Sequence, residues 1–119
     1  MDKKYEFTGE TLDWEGRTLN RIRAVRDFGR VKSGDLGGWI EGSLNLSHYG
    51  DCWVADEAKV YQAAQVFEGA QVFEWAQVYE WAQVFGQSLI HGRAKVLGTA
   101  VVNGGMDIAG HEVIGGGDG

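Results

Sequence analysis

Residues 60–85 read VYQAAQVFEGAQVFEWAQVYEWAQVF and repeat a pattern every six residues. A valine recurs in each repeat, and an alanine stands two places before it, from Ala58 and Val60 to Ala82 and Val84. Six is not close to a multiple of 3.6, so these valines would be spread around an α-helix instead of forming one apolar stripe. Because six is even, all the valines of an extended chain point to the same side. The pattern therefore predicts short β-strands that alternate with corners, as in a coiled solenoid.

The same phase continues on both sides of this segment. Eleven positions spaced six residues apart, from Val54 to Ile114, hold only Val or Ile. The residue two places before is small in the first nine repeats, from Cys52 to Ala100, and is Met106 or Glu112 in the last two. A small side chain is expected there because the inside of a narrow tube has little room beside a corner. We therefore predict a Val/Ile core, with Cys52 as a buried small residue and not a nucleophile.

The residue two places after each Val or Ile is expected to turn the corner with positive φ. It is glycine in five later repeats, from Gly86 to Gly110, and glycine adopts positive φ at low cost. In the middle repeats the same place holds Glu68, Glu74 and Glu80. If these glutamates adopt the same conformation, each costs up to about 1 kcal/mol relative to glycine.

These repeats carry a resemblance to a known family. The small-x-Val/Ile hexad is similar to the hexapeptide repeat of left-handed parallel β-helix proteins. More narrowly, TLNRIRAVRDFGRVKSGDLGGWIE (residues 18–41), followed by NLSHYGDCWV (residues 45–54), resembles phage- and prophage-encoded proteins of that fold, which are often labelled transferase-like. The resemblance implies an all-β, left-handed parallel β-helix with three hexads per coil, and it implies a homo-oligomer, trimer or dimer.

The chain divides into three parts within one folded domain. Residues 1–38 are expected to form an N-terminal β cap, because Thr11–Asp13 and Thr18–Arg23 flank a turn signal and predict a hairpin. Residues 39–114 form the predicted solenoid, and the loop 47–51 shifts its phase by two residues before Val54. Residues 115–119 read as a flexible glycine-rich tail. The cap is expected to cover the first coil, where open strand edges would otherwise invite aggregation.

Composition narrows the classes of partner. The formal net charge is -6, and residues 51–119 hold three basic and nine acidic side chains, which argues against nucleic acid along the solenoid. One cysteine excludes an intramolecular disulfide framework. We find no signal-like or membrane-spanning apolar run, so we expect a cytoplasmic protein, in the host cell cytoplasm if the gene is phage-borne.

The outward positions of the solenoid carry a concentration of aromatic residues. In an 18-residue coil, Tyr61 would stack on Tyr79 and Phe67 on Phe85. Ladder stacking between coils explains part of this set, at roughly 0.2–1 kcal/mol per pair. Large aromatic surface outside a narrow tube also marks interfaces. We therefore predict an interface formed by Tyr61, Phe67, Phe73, Trp75, Tyr79, Trp81 and Phe85.

Other candidate sites are weaker. A basic cluster in the cap forms either a solvated face or an anion or nucleotide site, since bidentate guanidinium groups suit phosphate; its members are Arg17, Arg21, Arg23 and Arg26. His48, His91 and His111 share no metal-ligand spacing, and no carboxylate partner is recognisable for any of them in the sequence. We expect surface histidines, no catalytic residue, no metal and no cofactor.

These observations favour a non-catalytic interaction protein of phage or prophage type. Its rigid aromatic surface would serve self-association and binding of a host partner. An anti-defence role is one form of this hypothesis, through inhibition of a host protein or sequestration of a small nucleotide signal. Two alternatives stay open. One is a hexapeptide-repeat acyl- or nucleotidyl-transferase, and the other is a structural spacer in a virion, for which near-identical hexads would suffice.

Overall fold

A computed structural model describes residues 3–116, and this part of the chain is all-β apart from a single 3₁₀ turn at Ser43–Asn45. Two long strands come first and most of the later strands are only two residues long. The strands are β1 (Tyr5–Trp14), β2 (Arg17–Ala24), β3 (Leu36–Ile40), β4 (Trp53–Val54), β5 (Lys59–Val60), β6 (Gln65–Val66), β7 (Gln71–Val72), β8 (Gln77–Val78), β9 (Gln83–Val84), β10 (Leu89–Ile90), β11 (Lys95–Gly98), β12 (Val101–Val102), β13 (Asp107–Ile108) and β14 (Val113–Gly116).

The short strands build a parallel β-solenoid, which confirms the all-β solenoid expected from the six-residue pattern. One sheet contains β4, β7, β10 and β13, a second contains β6, β9 and β12, and a third continues from β3 through β5, β8, β11 and β14. Paired residues in the repeats are 18 positions apart, as in Val60 beside Val78 and Val66 beside Val84. Backbone N–H groups of one coil donate to carbonyls of the next, as from Tyr61 to Val78 at 3.0 Å. Each two-residue strand is therefore stabilised by its neighbours in other coils.

The interior is the Val/Ile column that the sequence predicts. Ten of its eleven members, from Val54 to Ile108, are at most 2% exposed, and Ile114 is half-buried. The small residues two places before them are buried as far as Ala100, whereas Met106 and Glu112 are exposed. Cys52 is fully buried, as expected. The core is therefore a narrow column of small and β-branched side chains.

The corners adopt positive φ whether or not they contain glycine. Gly86, Gly92, Gly98, Gly104 and Gly110 have φ between 65° and 70°, and the equivalent Glu68, Glu74 and Glu80 have φ of 61–62°. Asp56 and Gln62 adopt the same conformation at 58° and 60°. The glutamate side chains at these corners hydrogen-bond to the next coil. Oε1 of Glu68, Glu74 and Glu80 accepts a hydrogen bond of 2.7–2.9 Å from the backbone N–H of the corner residue 18 positions later.

The N-terminal residues form the predicted hairpin and close one end of the core. Strands β1 and β2 pair through a turn at Glu15–Gly16, and β2 pairs with β3, which in turn starts the parallel sheet beside β5. Tyr5, Phe28 and Val31 belong to the same buried cluster as the Val/Ile column. Leu46 bridges to Val66, twenty positions away, so the loop 47–51 adds the two residues that the sequence predicts. The β14 strand includes Gly115 and Gly116, which the sequence analysis placed in the tail, and residues 117–119 lie outside the described residues.

Candidate interaction surface

Outward-facing aromatic side chains stack in ladders that connect consecutive coils. Tyr61 and Tyr79 are 5.1 Å apart between ring centroids, and Phe67 and Phe85 are 4.7 Å apart; both pairs are nearly parallel. Phe73 stacks in the same way on His91 at 4.8 Å. The stacking expected for the two like pairs is confirmed. Every outward face therefore carries a ladder of rings, and the three ladders differ in what lies over them.

The hairpin covers the tyrosine ladder. We call the outer surface of β5, β8, β11 and β14 the hairpin face. Tyr61 is 2% exposed and forms a cluster with Leu19 and Trp39, against which Leu12 and Trp14 pack. The Lys59 ammonium lies 4.5 Å from the centre of the Trp14 ring. Burial raises the pKa of the Tyr61 phenol. Tyr61, one of the residues assigned to an interface from sequence, is thus covered within the chain itself, and Tyr79 is half-buried beside it.

The face formed by β6, β9 and β12 carries the phenylalanine ladder, and we call it the Phe85 face. Phe67 and Phe85 are half-buried and belong to neither of the two buried clusters formed by the described residues. Three large apolar side chains around them are well exposed: Leu44 at 61%, Trp81 at 65% and Val101 at 56%. Leu44 and Trp81 line one groove of about 530 Å³, and Leu44 and Phe67 line a smaller depression beside it. The face therefore combines exposed apolar side chains with a groove at its edge that Arg17, Glu41 and Glu80 also line.

The remaining face, built from β4, β7, β10 and β13, holds charged groups around His91, and we call it the His91 face. His91 Nε2 lies 2.7 Å from Asp107 Oδ1, and His91 Nδ1 lies 3.4 Å from Glu74 Oε1. At the adjoining corner the Arg93 guanidinium lies 5.2 Å from the Trp75 ring, and Trp75 is 52% exposed. No carboxylate partner of a histidine is recognisable in the sequence. Asp107 and Glu74 are 16 and 17 residues from His91, and the coil brings them together.

The structure distributes the four cap arginines over different partners. Arg17 donates to both carboxylate oxygens of Glu41, at 2.8 and 3.1 Å. Arg21 is paired with Glu57 at 3.6 Å, and Arg23 is paired with Glu6. Arg26 donates to the His48 carbonyl at 3.2 Å. The four guanidinium groups of the candidate anion site therefore contact separate groups of the chain, and Arg17 also lines the groove that contains Leu44 and Trp81.

A buried polar cluster joins the N-terminus to the first coil, and sequence reasoning missed it. The fully buried Lys4 ammonium donates to the carbonyls of Cys52 and Gly50, at 2.6 and 3.2 Å, and lies 3.3 Å from Cys52 Sγ. Burial lowers the pKa of Lys4 and raises the pKa of the Cys52 thiol, although the ammonium pulls the thiol pKa the other way. The Lys4 backbone N–H donates to His48 Nδ1 at 3.0 Å. A lone lysine before the first strand gave no signal for this role.

Membrane-spanning helices, metal-ligating groups and similarity to known proteins each bear on function. No helix in residues 3–116 is long and apolar enough to cross a membrane. Within the same residues, no group of three or more His, Cys, Asp or Glu side chains is placed to hold a metal ion. Searches against protein-family models and against curated proteins find no match. The geometry itself offers exposed aromatic side chains on a frame of hydrogen-bonded coils.

Proposed function

We propose that this chain is a non-catalytic interaction protein that uses its outer aromatic surface for self-association and for binding a protein partner. The observation that carries the proposal is the exposure of Trp75 and Trp81, at 52% and 65%, next to partly exposed phenylalanine ladders. Indole rings are enriched in protein interfaces because they bury much apolar area with few rotatable bonds. Short strands locked between coils hold these rings in place, so little conformational entropy is lost on binding.

We further propose that the solenoid is left-handed, has three hexads per coil and belongs to the hexapeptide-repeat proteins of phages and prophages. Pairing between residues 18 positions apart supports the coil length, and the N-terminal sequence resemblance supports the phage origin. A protein of phage or prophage origin would act in the cytoplasm of the host cell. Inhibition of a host defence protein suits it better than capture of a nucleotide, because the arginines that would bind phosphate contact other groups of the chain.

Light scattering coupled to size exclusion tests the self-association. We expect the molar mass to exceed that of one 13.1 kDa chain and to rise with concentration. Trp81→Ser should lower the mass at a given concentration, since it removes the most exposed ring of the set. A single-chain mass at millimolar concentration would contradict self-association.

One observation favours the alternative of an acyl- or nucleotidyl-transferase. A histidine held by a carboxylate is a common general base, and His91 lies 2.7 Å from Asp107. However, its second ring nitrogen faces Glu74, and its ring stacks on Phe73 on the outside of the coil. A general base needs a nitrogen that faces the substrate, so a surface contact of His91 with the two carboxylates fits better. Calorimetry with acyl-CoA and nucleotide-sugar ligands discriminates: binding that is lost in His91→Ala would support the enzyme.

A further inference from the structure

The three outer faces of the solenoid are not equivalent as places for a partner. The hairpin packs over the tyrosine ladder of the hairpin face. On the His91 face, Phe28 and Tyr5 pack edge-on against Trp53 at the first coil, and His91 contacts Asp107 and Glu74 at the later coils. The phenylalanine ladder of the Phe85 face lies outside both buried clusters of the described residues. The same kind of ladder is thus covered on one face and open on another.

The Phe85 face also differs in charge. On each strand of this face, the outward residue and the first residue after the strand are uncharged. These residues are Gln65, Phe67, Gln83, Phe85, Val101 and Asn103. The equivalent positions include Lys59 and Lys95 on the hairpin face and His91 and Asp107 on the His91 face. Because the chain has a formal net charge of -6, two copies repel each other wherever acidic groups meet. Between identical chains, we expect this repulsion to be smallest where the strand positions of both copies carry no charge.

The side chains of the Phe85 face can pair with the same side chains on a second copy of the chain. A glutamine amide both donates and accepts hydrogen bonds, so an amide on one copy can pair with an amide on the other. Aromatic rings prefer aromatic partners in stacked or edge-to-face contact. A two-fold dimer needs a surface of this self-complementary kind, because each residue of the patch meets the same patch on the second copy. Charged side chains lie at the edge of the patch, where Arg17, Glu41 and Glu80 line the groove beside Leu44 and Trp81 and Arg17 is paired with Glu41.

We propose that the Phe85 face is where a second copy of this chain docks, in a two-fold contact centred on Phe67 and Phe85, with Leu44, Trp81 and Val101 around them. This inference rests on the proposed self-association and assigns it to one face. These five side chains are far fewer than the roughly 20–30 residues that each partner contributes to a standard interface, so we expect a reversible dimer. The exposed Trp75 lies at a different corner, between the His91 face and the hairpin face, and is left for a different partner.

Sedimentation velocity over a concentration series tests this assignment with matched charge variants. Phe85→Lys places an ammonium on the neutral face, where the two-fold contact would bring it near the ammonium of the second copy. We expect it to raise the dimer dissociation constant at least about tenfold. Phe73→Lys makes the same change at the equivalent repeat position on the His91 face and should leave the constant within about twofold.

Val101→Lys keeps the test valid if loss of the phenylalanine stack unfolds Phe85→Lys, because Val101 is already exposed and outside the ladder. It should weaken the dimer in the same direction. Unchanged association in Val101→Lys, or equal weakening by Phe73→Lys, would overturn the assignment to the Phe85 face while self-association itself stands. A wild-type protein that stays monomeric throughout would instead contradict the proposed self-association.

Discussion

Glu74 Oε1 accepts a hydrogen bond of 2.7 Å from the backbone N–H of Gly92, the corner residue 18 positions later in the chain. This hydrogen bond offsets the conformational cost of the positive φ of 62° at Glu74, and a glycine at the same corner could not form it. The same contact recurs from Glu68 to Gly86 and from Glu80 to Gly98. Corner glutamates in the middle repeats therefore connect coils, and this explains why the repeat tolerates them.

Two substitutions of Glu74 separate the hydrogen bond from the backbone strain. Glu74→Ala loses the bond but keeps a side chain at positive φ, so we expect it to destabilise the protein by about 1–2 kcal/mol. Glu74→Gly loses the bond but relieves up to about 1 kcal/mol of strain, so it should be the milder change. Urea denaturation of both variants measures the difference. The alanine and glycine variants of Glu68 are the control, because Glu68 lacks the contact with His91. A glycine variant that is less stable than the alanine variant would contradict this explanation.

Adjacent valines test the alternation of the strands. Val102 is fully buried in the core column, and Val101 beside it is 56% exposed. Val102→Ala should cost about 2 kcal/mol of unfolding free energy through lost burial and a residual cavity. Val101→Ala should change it by less than about 0.5 kcal/mol, as surface substitutions usually do. Equal effects in urea denaturation at low protein concentration would show that the two side chains do not face opposite ways.

His48 makes the stability depend on mildly acidic pH. Burial lowers the pKa of His48, and the nearby cations Lys4, Lys3 and Arg26 lower it further. The folded protein therefore prefers neutral His48, whose Nδ1 accepts the Lys4 N–H. Its contribution is complete above the ordinary pKa of about 6.5 and is lost as the pH falls through that value toward the lower folded pKa.

We expect the urea midpoint of the wild type to fall between pH 7.5 and pH 5, and to fall less in His48→Gln. His111→Gln, at an exposed corner, is the matched control and should keep the wild-type dependence. Titration of the histidine ring signals by NMR measures the pKa of His48 directly. A His48 pKa above that of a model peptide would contradict the arrangement.

The Cys52 thiol reports on the closed N-terminal end of the core. It is fully buried, and burial raises its pKa, so both thiolate formation and access are restricted. We expect an aromatic disulfide reagent to label native Cys52 at least about 100-fold more slowly than the urea-unfolded chain. Gln87→Cys in a Cys52→Ser background places a thiol at an exposed corner and should react quickly in the native state. Equal rates for the two thiols would mean that the end is open.

The solenoid was predictable because each six-residue repeat sets its own strand and corner through residues that are close in sequence. Val66 and Val72 need a common interior, Gly86 needs positive φ, and neither requirement depends on distant residues. The hairpin was predicted for the same reason, from turn residues between two alternating runs. Its place over Tyr61 was not predictable, since that depends on contacts such as Trp14 with Lys59, 45 positions apart.

The candidate site was predictable in part. The ladders of Tyr61 with Tyr79 and of Phe67 with Phe85 follow from a coil of 18 residues, and the pairing of His91 with Asp107 follows nearly as directly, although the sequence analysis did not draw it. Leu44 was missed because it lies in the 3₁₀ turn, outside the repeat. Lys4 was missed because a buried ammonium is rare and leaves no periodic signal.

Hydroxyl-radical labelling of the full chain at low and high concentration, read out residue by residue, tests most directly whether the open aromatic ladder is an association surface. We expect labelling of Phe67 and Phe85 to fall as the concentration rises, while Tyr61, already covered by the hairpin, stays weakly labelled throughout. Labelling of Phe67 and Phe85 that does not change while the molar mass rises would contradict it.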